Sequence, residues 1–434
     1  MPLPAPPPRF PHRPAPAAGA GGDRAPGPPP RRTRRRLLSA LVPVLLLAAL
    51  FGAGTAAQLS RDLPRTTLMT SIAPQIRIPG KAPALPWPRQ GSAELMIEGL
   101  GRLGGSGSGG GAEPIGSVAK VMTAYVILQN HPLGSGEDGP TLTVTAADVA
   151  DYEARIPLGQ SLVPVVEGER LTQRDALEAL MLPSANNIAH QLAIWDSGSE
   201  KAFVAKMNAA ADELGLADTE YTDPSGYLPS TVSTAADQVE LARAALRSPV
   251  FTEIVELPEA TIPVAGKIRN YNDLLGVNGV FGIKTGSTDE AGGNLLFAAR
   301  LTVAKRTYII VGAVFNQPGT DTPEQLAAVN KVVRKLLTAV REQVKQFRLL
   351  DASPSGELES AWGQAVTVSP ARPLTVVGWP GLTVPVEVTA TPPSGRVRHG
   401  EVVGTVEAAG IRVPLRADAA IGEPSLWWQL TRRP

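Results

Sequence analysis

The sequence predicts an α+β domain, an antiparallel sheet flanked by helices, with a small all-β module after it and an apolar helix before it. Three observations lead there. Residues 118–128 are apolar almost all round, the mark of a buried helix. Residues 279–288, 291–299 and 308–315 are strand-like runs with the second returning on the first, and a long helical run over 323–347 follows. Beyond residue 348, runs such as Leu374-Thr375-Val376-Val377 alternate with Pro and Gly turns, as strands of a β-rich module do.

In chain order, residues 1–36 are rich in Pro, Ala, Gly and Arg and cannot bury enough surface to fold, so a disordered arm is expected there. Residues 37–57 form an apolar stretch of about twenty residues, enough to cross a bilayer once. Arg31, Arg32, Arg34, Arg35 and Arg36 precede it. Positive charge stays inside, so the remainder of the chain is expected beyond a cell membrane. Two versions stay open: a retained anchor, which the long arm favours, or a signal peptide cleaved near Thr55-Ala56-Ala57. Residues 58–84, punctuated by Pro64, Pro74, Pro79 and Pro83, are expected to be a semi-extended spacer.

Composition narrows the function. The formal net charge is +1, which argues against a nucleic-acid partner. Cysteine is absent, which excludes disulfides, thiolate catalysis and Cys-type zinc sites. His12, His131, His190 and His399 lack metal-ligand spacing, so neither metal nor cofactor is expected.

Residues 85–347 are expected to form the principal domain. Residues 92–100 alternate as a strand, and the Gly/Ser run over 104–111 suits a flexible hairpin loop. Ser117 then opens the apolar helix. Short strands are expected over 141–145 and 160–166. Thr172, with Asp175 three residues on, caps a helix that Pro183 ends. Ser184-Ala185-Asn186 sits at that break, and a helix resumes over 187–195. Residues 203–214 read as an amphipathic helix carrying Met207-Asn208; Thr222-Asp223-Pro224-Ser225-Gly226 reads as a turn, and Ser233-Thr234-Ala235-Ala236-Asp237 as a capped helix start, all three structural. Trp427 and Trp428 are expected in a last strand.

Three short motifs carry chemistry. In Ser117-Val118-Ala119-Lys120, residues three apart share a helix face, so the hydroxyl and the amine can meet. Burial disfavours the charged amine. A neutral Lys120 can take the Ser117 proton and make a nucleophile, and a helix N-terminus favours the developing negative charge. A serine in this place is ordinarily an N-cap and the lysine ordinarily snorkels to water. The helix being apolar on all sides, and the two further motifs, shift the balance. Lys284-Thr285-Gly286 ends an alternating edge strand whose glycine admits a close backbone approach, so a peptide can add to it as a strand. Lys284 offers positive charge, and Thr285 and Ser287 offer hydroxyls, to a terminal carboxylate.

In order these motifs read S-x-x-K, S-x-N and K-T-G, and over roughly residues 85–347 the chain resembles the low-molecular-mass penicillin-binding proteins, the D-alanyl-D-alanine carboxypeptidases. The resemblance implies a penicillin-binding/β-lactamase-like transpeptidase fold and a serine carboxypeptidase that removes the last D-alanine from wall stem peptides, with β-lactams as inhibitors. It implies Ser117 as nucleophile, Lys120 as base, Ser184 as a proton shuttle and Asn186 as the group orienting Lys120 and the substrate amide. It implies Lys284, Thr285, Gly286 and Ser287 as the substrate strand, and the backbone N–H groups of Ser117 and Ser287 as the oxyanion hole. Residues 348–434 are expected to be the β-rich C-terminal domain that relatives carry. Many relatives follow the S-x-N asparagine with aspartate, where this chain has Asn187.

The alternatives share the fold. Class A β-lactamases deacylate with a glutamate, and no Glu-x-x-Leu-Asn segment occurs between Ser117 and Lys284. Transpeptidase or endopeptidase activity remains open, because the same acyl-enzyme serves an amine acceptor. A non-catalytic wall-binding scaffold would be expected to lack Ser117, Lys120 or Lys284, and all are present.

Overall fold

The structure is a computed structural model that describes residues 32–107 and 111–433. The expected arm over residues 1–31, and residues 108–110 of the Gly/Ser run, lie outside the described residues. The chain divides into two units: Met1–Pro64 with Glu423–Pro434, and Arg65–Gly422.

In the first unit a helix spans Arg32–Leu59. Its Leu41–Leu59 part is apolar, exposed and long enough to cross a membrane, which fits a membrane anchor or a signal. At about 1.5 Å per residue it rises roughly 28 Å, close to the thickness of a bilayer's hydrocarbon core. The expected last strand is instead a short helix, Leu426–Thr431. Ser425 caps it by accepting from the Trp428 N–H. Gln58 donates from Nε2 to the Arg432 carbonyl at 2.8 Å, and Arg432 donates from Nη2 to the Arg61 carbonyl at 2.6 Å, tying this segment to the end of the long helix.

The core of the second unit is a five-stranded antiparallel sheet. Its order is Val280–Thr288, Gly292–Val303, Arg306–Gln317, Ala93–Ile97, Gly101–Ser106. The apolar run at 295–299 shows why it has two covers. Leu296 and Ala298 face the cluster built with the Lys120–Asn130 and Ala235–Ala245 helices. Leu295, Phe297 and Ala299 face the opposite cluster with Val329, Val333 and Leu336 of the closing helix Thr322–Gln343. A strand covered on both sides needs apolar residues at every position, because successive side chains point to opposite faces.

Several elements differ from expectation. The Gly/Ser run is not a loop from Gly104: Gly101–Ser106 pairs with Ala93–Ile97, and the turn lies at 98–100. The closing helix stops at Gln343, and Lys345–Leu350 is a strand paired with Leu374–Gly378. Residues 160–166 form no strand; the start of the Asn186–Ser197 helix holds them instead. The Asn186 N–H donates to the Ser161 carbonyl at 2.8 Å, and Asn187 grips Val163 at both ends, accepting from its N–H at 3.2 Å and donating to its carbonyl at 2.9 Å. Thr141–Thr143 pairs with Arg170–Thr172.

The C-terminal module is a seven-stranded sheet over its own apolar core. Residues expected to be a spacer are part of it: Thr67–Thr70 pairs with Gly356–Glu359, and Gln75–Arg77 with Thr383–Ala390. Ile78 is fully buried in that core. Pro64, Pro74, Pro79 and Pro83 fall outside these two strands, where no ladder hydrogen bond is lost.

Candidate active site

Ser117 lies in a tight turn, Gly116–Ala119, that runs directly into the Lys120–Asn130 helix. No side chain caps that helix, so Ser117 is not its N-cap. Its hydroxyl is turned to Lys120, whose Nζ stands 2.9 Å from Ser117 Oγ. Nζ also lies 2.6 Å from Asn186 Oδ1 and 2.8 Å from the Ser225 carbonyl. Lys120 is fully buried.

Burial pushes the Lys120 amine well below its ordinary value, and the nearby Lys284 charge pushes the same way; Asp223 opposes, and Arg155 adds a smaller downward push. A neutral amine has two N–H donors and one lone pair. Asn186 Oδ1 and the Ser225 carbonyl can only accept, so they take both donors. The lone pair is left facing the Ser117 hydroxyl. That is the arrangement of a general base on a nucleophile.

Ser225 belongs to the Thr222–Gly226 turn, which its sequence marks only as structural. Asp223 organises that turn. Its Oδ2 accepts from the Ser225 N–H at 3.1 Å, the Ser225 hydroxyl at 2.6 Å and the Tyr227 N–H at 3.0 Å, and its Oδ1 accepts from Thr231 Oγ1 at 2.7 Å. Gly226 follows at φ +74°, where a Cβ would stand 1.8 Å from the Gly116 carbonyl oxygen. Only glycine lets this turn press against the Ser117 turn. No residue type announces this contribution, because Lys120 is held by a backbone atom.

The edge strand Val280–Thr288 closes the other side. A Cβ on Gly286 would lie 3.1 Å from the Ser117 N, so the strand and the Ser117 turn meet backbone to backbone. A Cβ on Gly116 would lie 3.4 Å from the Ser287 nitrogen, so the backbone nitrogens of Ser117 and Ser287 both lie at this junction. The first N–H groups of a helical turn have no partner within it, which leaves the Ser117 N–H available there. Lys284 is 1% exposed, and burial lowers its amine to about 7. Thr285 and Gly286 line a cleft of about 380 Å³ together with Ser117, Ser184, Asn186 and Gln160. Ser287 also lines it, but its hydroxyl is turned away, donating to Gln325 Oε1 and accepting from the Thr322 hydroxyl of the closing helix.

Ser184 holds a left-handed backbone, φ +66°, unusual for a residue with a side chain. Its buried hydroxyl has no hydrogen-bond partner among the described residues and borders the cleft. It reaches the site without bonding to Lys120. Among the described residues no cluster of side chains could hold a metal ion.

The family model for D-alanyl-D-alanine carboxypeptidase, Peptidase_S11, matches residues 110–318. A D-alanyl-D-alanine carboxypeptidase of Streptomyces sp. strain K15 is 33% identical over 201 residues, covering 42% of this chain and 67% of that protein. The chain belongs to the D-alanyl-D-alanine carboxypeptidase family. DacB2 of Mycobacterium tuberculosis, of the same description, is 38% identical over 187 residues, 42% of this chain, and the chain spans 60% of its length. Penicillin binding protein 5 of Haemophilus influenzae matches in structure with a TM-score of 0.52 at 21% identity, over 77% of this chain and 99% of that one. The expected penicillin-binding fold is thus present. All motif residues of this family member lie on elements that meet at the cleft. Ser117, Lys120 and Asn186 are joined by hydrogen bonds, whereas Ser184 and Lys284 are placed beside them without one. Asp223, Ser225 and Gln160 are the residues that motif reading missed.

Proposed function

We propose that this protein is a serine-type D-Ala-D-Ala carboxypeptidase acting on peptidoglycan stem peptides through an acyl-enzyme. The observation that carries it is the Lys120 Nζ at 2.9 Å from Ser117 Oγ with both of its N–H groups committed elsewhere. Ser117 Oγ attacks the carbonyl of the penultimate D-alanine and its proton passes to Lys120. The oxyanion forms between the Ser117 and Ser287 N–H groups, each such donor lowering the barrier by about 3 kcal/mol. Lys284 and Thr285 receive the terminal carboxylate. Ser184, unpartnered in the cleft wall, passes the Lys120 proton to the leaving amine, and terminal D-alanine departs. Water then attacks the ester with Lys120 again as base, releasing the shortened peptide and Ser117. A β-lactam carboxylate suits the same place, and acylation at Ser117 would then persist.

The apolar helix supports a location at the cell membrane with the Arg65–Gly422 unit outside the cytoplasm, either anchored or released by cleavage near Ala57. A labelled penicillin tests the assignment: covalent labelling that disappears in Ser117→Ala supports it, and labelling that persists, or none in the wild type, overturns it. Mass spectrometry of the adduct locates the acylated residue and the mature N-terminus together. Product analysis with a pentapeptide, with and without an amine acceptor, separates hydrolysis from transfer.

A further inference from the structure

The base role of Lys120 depends on which way the Asn186 amide faces. With Oδ1 towards Nζ, Lys120 donates to it and keeps its lone pair for Ser117. With the amide turned over, Nδ2 would donate to Nζ and consume that lone pair, and Lys120 would then point an N–H at Ser117 and could not accept its proton. The two faces of an asparagine amide have nearly the same shape, so packing alone does not choose between them.

A chain of partners does choose. Asn186 Nδ2 donates to Gln160 Oε1 at 2.8 Å. Gln160 is itself an amide and could turn over, but its Oε1 also accepts from Arg155 Nη1 at 3.3 Å. Arg155 has only donors, so Gln160 must present its oxygen. Arg155 is held by Asp151, with Nε 2.7 Å from Asp151 Oδ2, one turn back on the Ala146–Arg155 helix. The direction of every hydrogen bond from Arg155 to Ser117 therefore follows from one group that cannot accept. The backbone supports the link: the left-handed Gly159 turns the chain after Arg155, and the Asn186 N–H to Ser161 carbonyl bond holds the next residue against the asparagine.

We propose that Gln160 is a positioning residue for acyl transfer: oriented by Arg155, it fixes the Asn186 amide so that Lys120 keeps its lone pair on Ser117. This rests on the carboxypeptidase reading of the same site. Gln160 lies in a stretch whose composition is that of a strand, and no motif marks it.

The test measures acylation by a labelled penicillin in the full chain, separating the acylation rate from non-covalent affinity. Gln160→Met keeps the shape and removes the acceptor. It is expected to slow acylation about tenfold or more with affinity little changed. Gln160→Glu still accepts from both neighbours and is expected to remain within about threefold of the wild type. A merely structural role would not separate these two variants in rate alone. Gln160→Met acting like the wild type, or Gln160→Glu as slow as Gln160→Met, overturns the proposal. Should Gln160→Met fail to fold, Arg155→Lys and Arg155→Met decide. The donor-only lysine is expected to acylate several-fold faster than the methionine, and equal rates overturn the proposal. No labelling of the wild type would sink the carboxypeptidase reading and this proposal with it; a labelled wild type with indistinguishable variants sinks this proposal alone.

Discussion

Gly226→Ala is the sharpest test of how the Lys120 amine is held. The added Cβ would stand 1.8 Å from the Gly116 carbonyl oxygen and 2.9 Å from the Ala119 Cβ. The first atom is backbone and cannot rotate aside. Reaching a tolerable 3.0 Å needs a movement of about 1.2 Å between the two turns. The φ of +74° adds about 1–2 kcal/mol of strain for any residue with a side chain. Overpacking adds roughly 1–3 kcal/mol, so a loss of about 2–5 kcal/mol in stability is expected. The catalytic consequence is separate. The Ser225 carbonyl, one residue away, accepts from Lys120 at 2.8 Å. A shift of that size along the bond would stretch it to about 4 Å, beyond a hydrogen bond. Lys120 would then have a spare N–H to offer Ser117, and acylation is expected to fall about a hundredfold, the usual cost of a misplacement near 1 Å. Calorimetry and stopped-flow acylation by a labelled penicillin measure the two effects. A variant that melts with the wild type and acylates within twofold of it would refute the argument that the two turns must touch.

Further outcomes follow from the same geometry. Lys120→Ala is expected to abolish acylation while leaving a folded protein, since it removes the base and relieves a buried amine; labelling at wild-type rate would exclude Lys120 as base. Acylation should rise with pH as the depressed Lys120 amine loses its proton, and kcat/KM should fall above about 7 as Lys284 loses the charge that receives the carboxylate. The kcat limb for Lys284 should lie higher, because a bound carboxylate favours the charged amine; a kcat/KM that does not fall between about 7 and about 9 would contradict the Lys284 assignment. Stability carries the matching sign. A lysine whose folded value lies at about 7, below its unfolded one, makes the unfolded state bind more protons, so unfolding free energy should rise as pH increases from about 7 towards 10.5. Denaturant unfolding of Lys284→Met should show a smaller rise over that window. Asn187→Leu leaves the Val163 N–H and carbonyl without partners, and a loss of about 1–3 kcal/mol is expected in the same measurement.

Much of the fold was legible because burial writes itself into residue type. The two-sided apolar run at 295–299, the all-round apolar helix after Ser117 and the Thr172 capping box with Asp175 each placed an element correctly. The misses share a cause. Residues 160–166 have a strand's composition but pair with the asparagine side chains of a helix start. Residues 67–77 look like a proline-rich spacer because edge strands tolerate such sequences, and their partners lie about three hundred residues away. Trp427 and Trp428 have a strand's composition, yet the local cap at Ser425 sets a helix.

The amino-acid sequence alone determined which groups this protein offers to the proposed acyl transfer and that Ser117 and Lys120 share a helical face, because a spacing of three is a local property of the backbone. Only the tertiary structure decided how those groups are placed. The protonation of Lys120 depends on its removal from water and on the Lys284 charge, and the aim of its lone pair depends on Asn186 and on a carbonyl from residue 225. These are contacts between segments remote in the chain, made partly by backbone atoms that every residue carries.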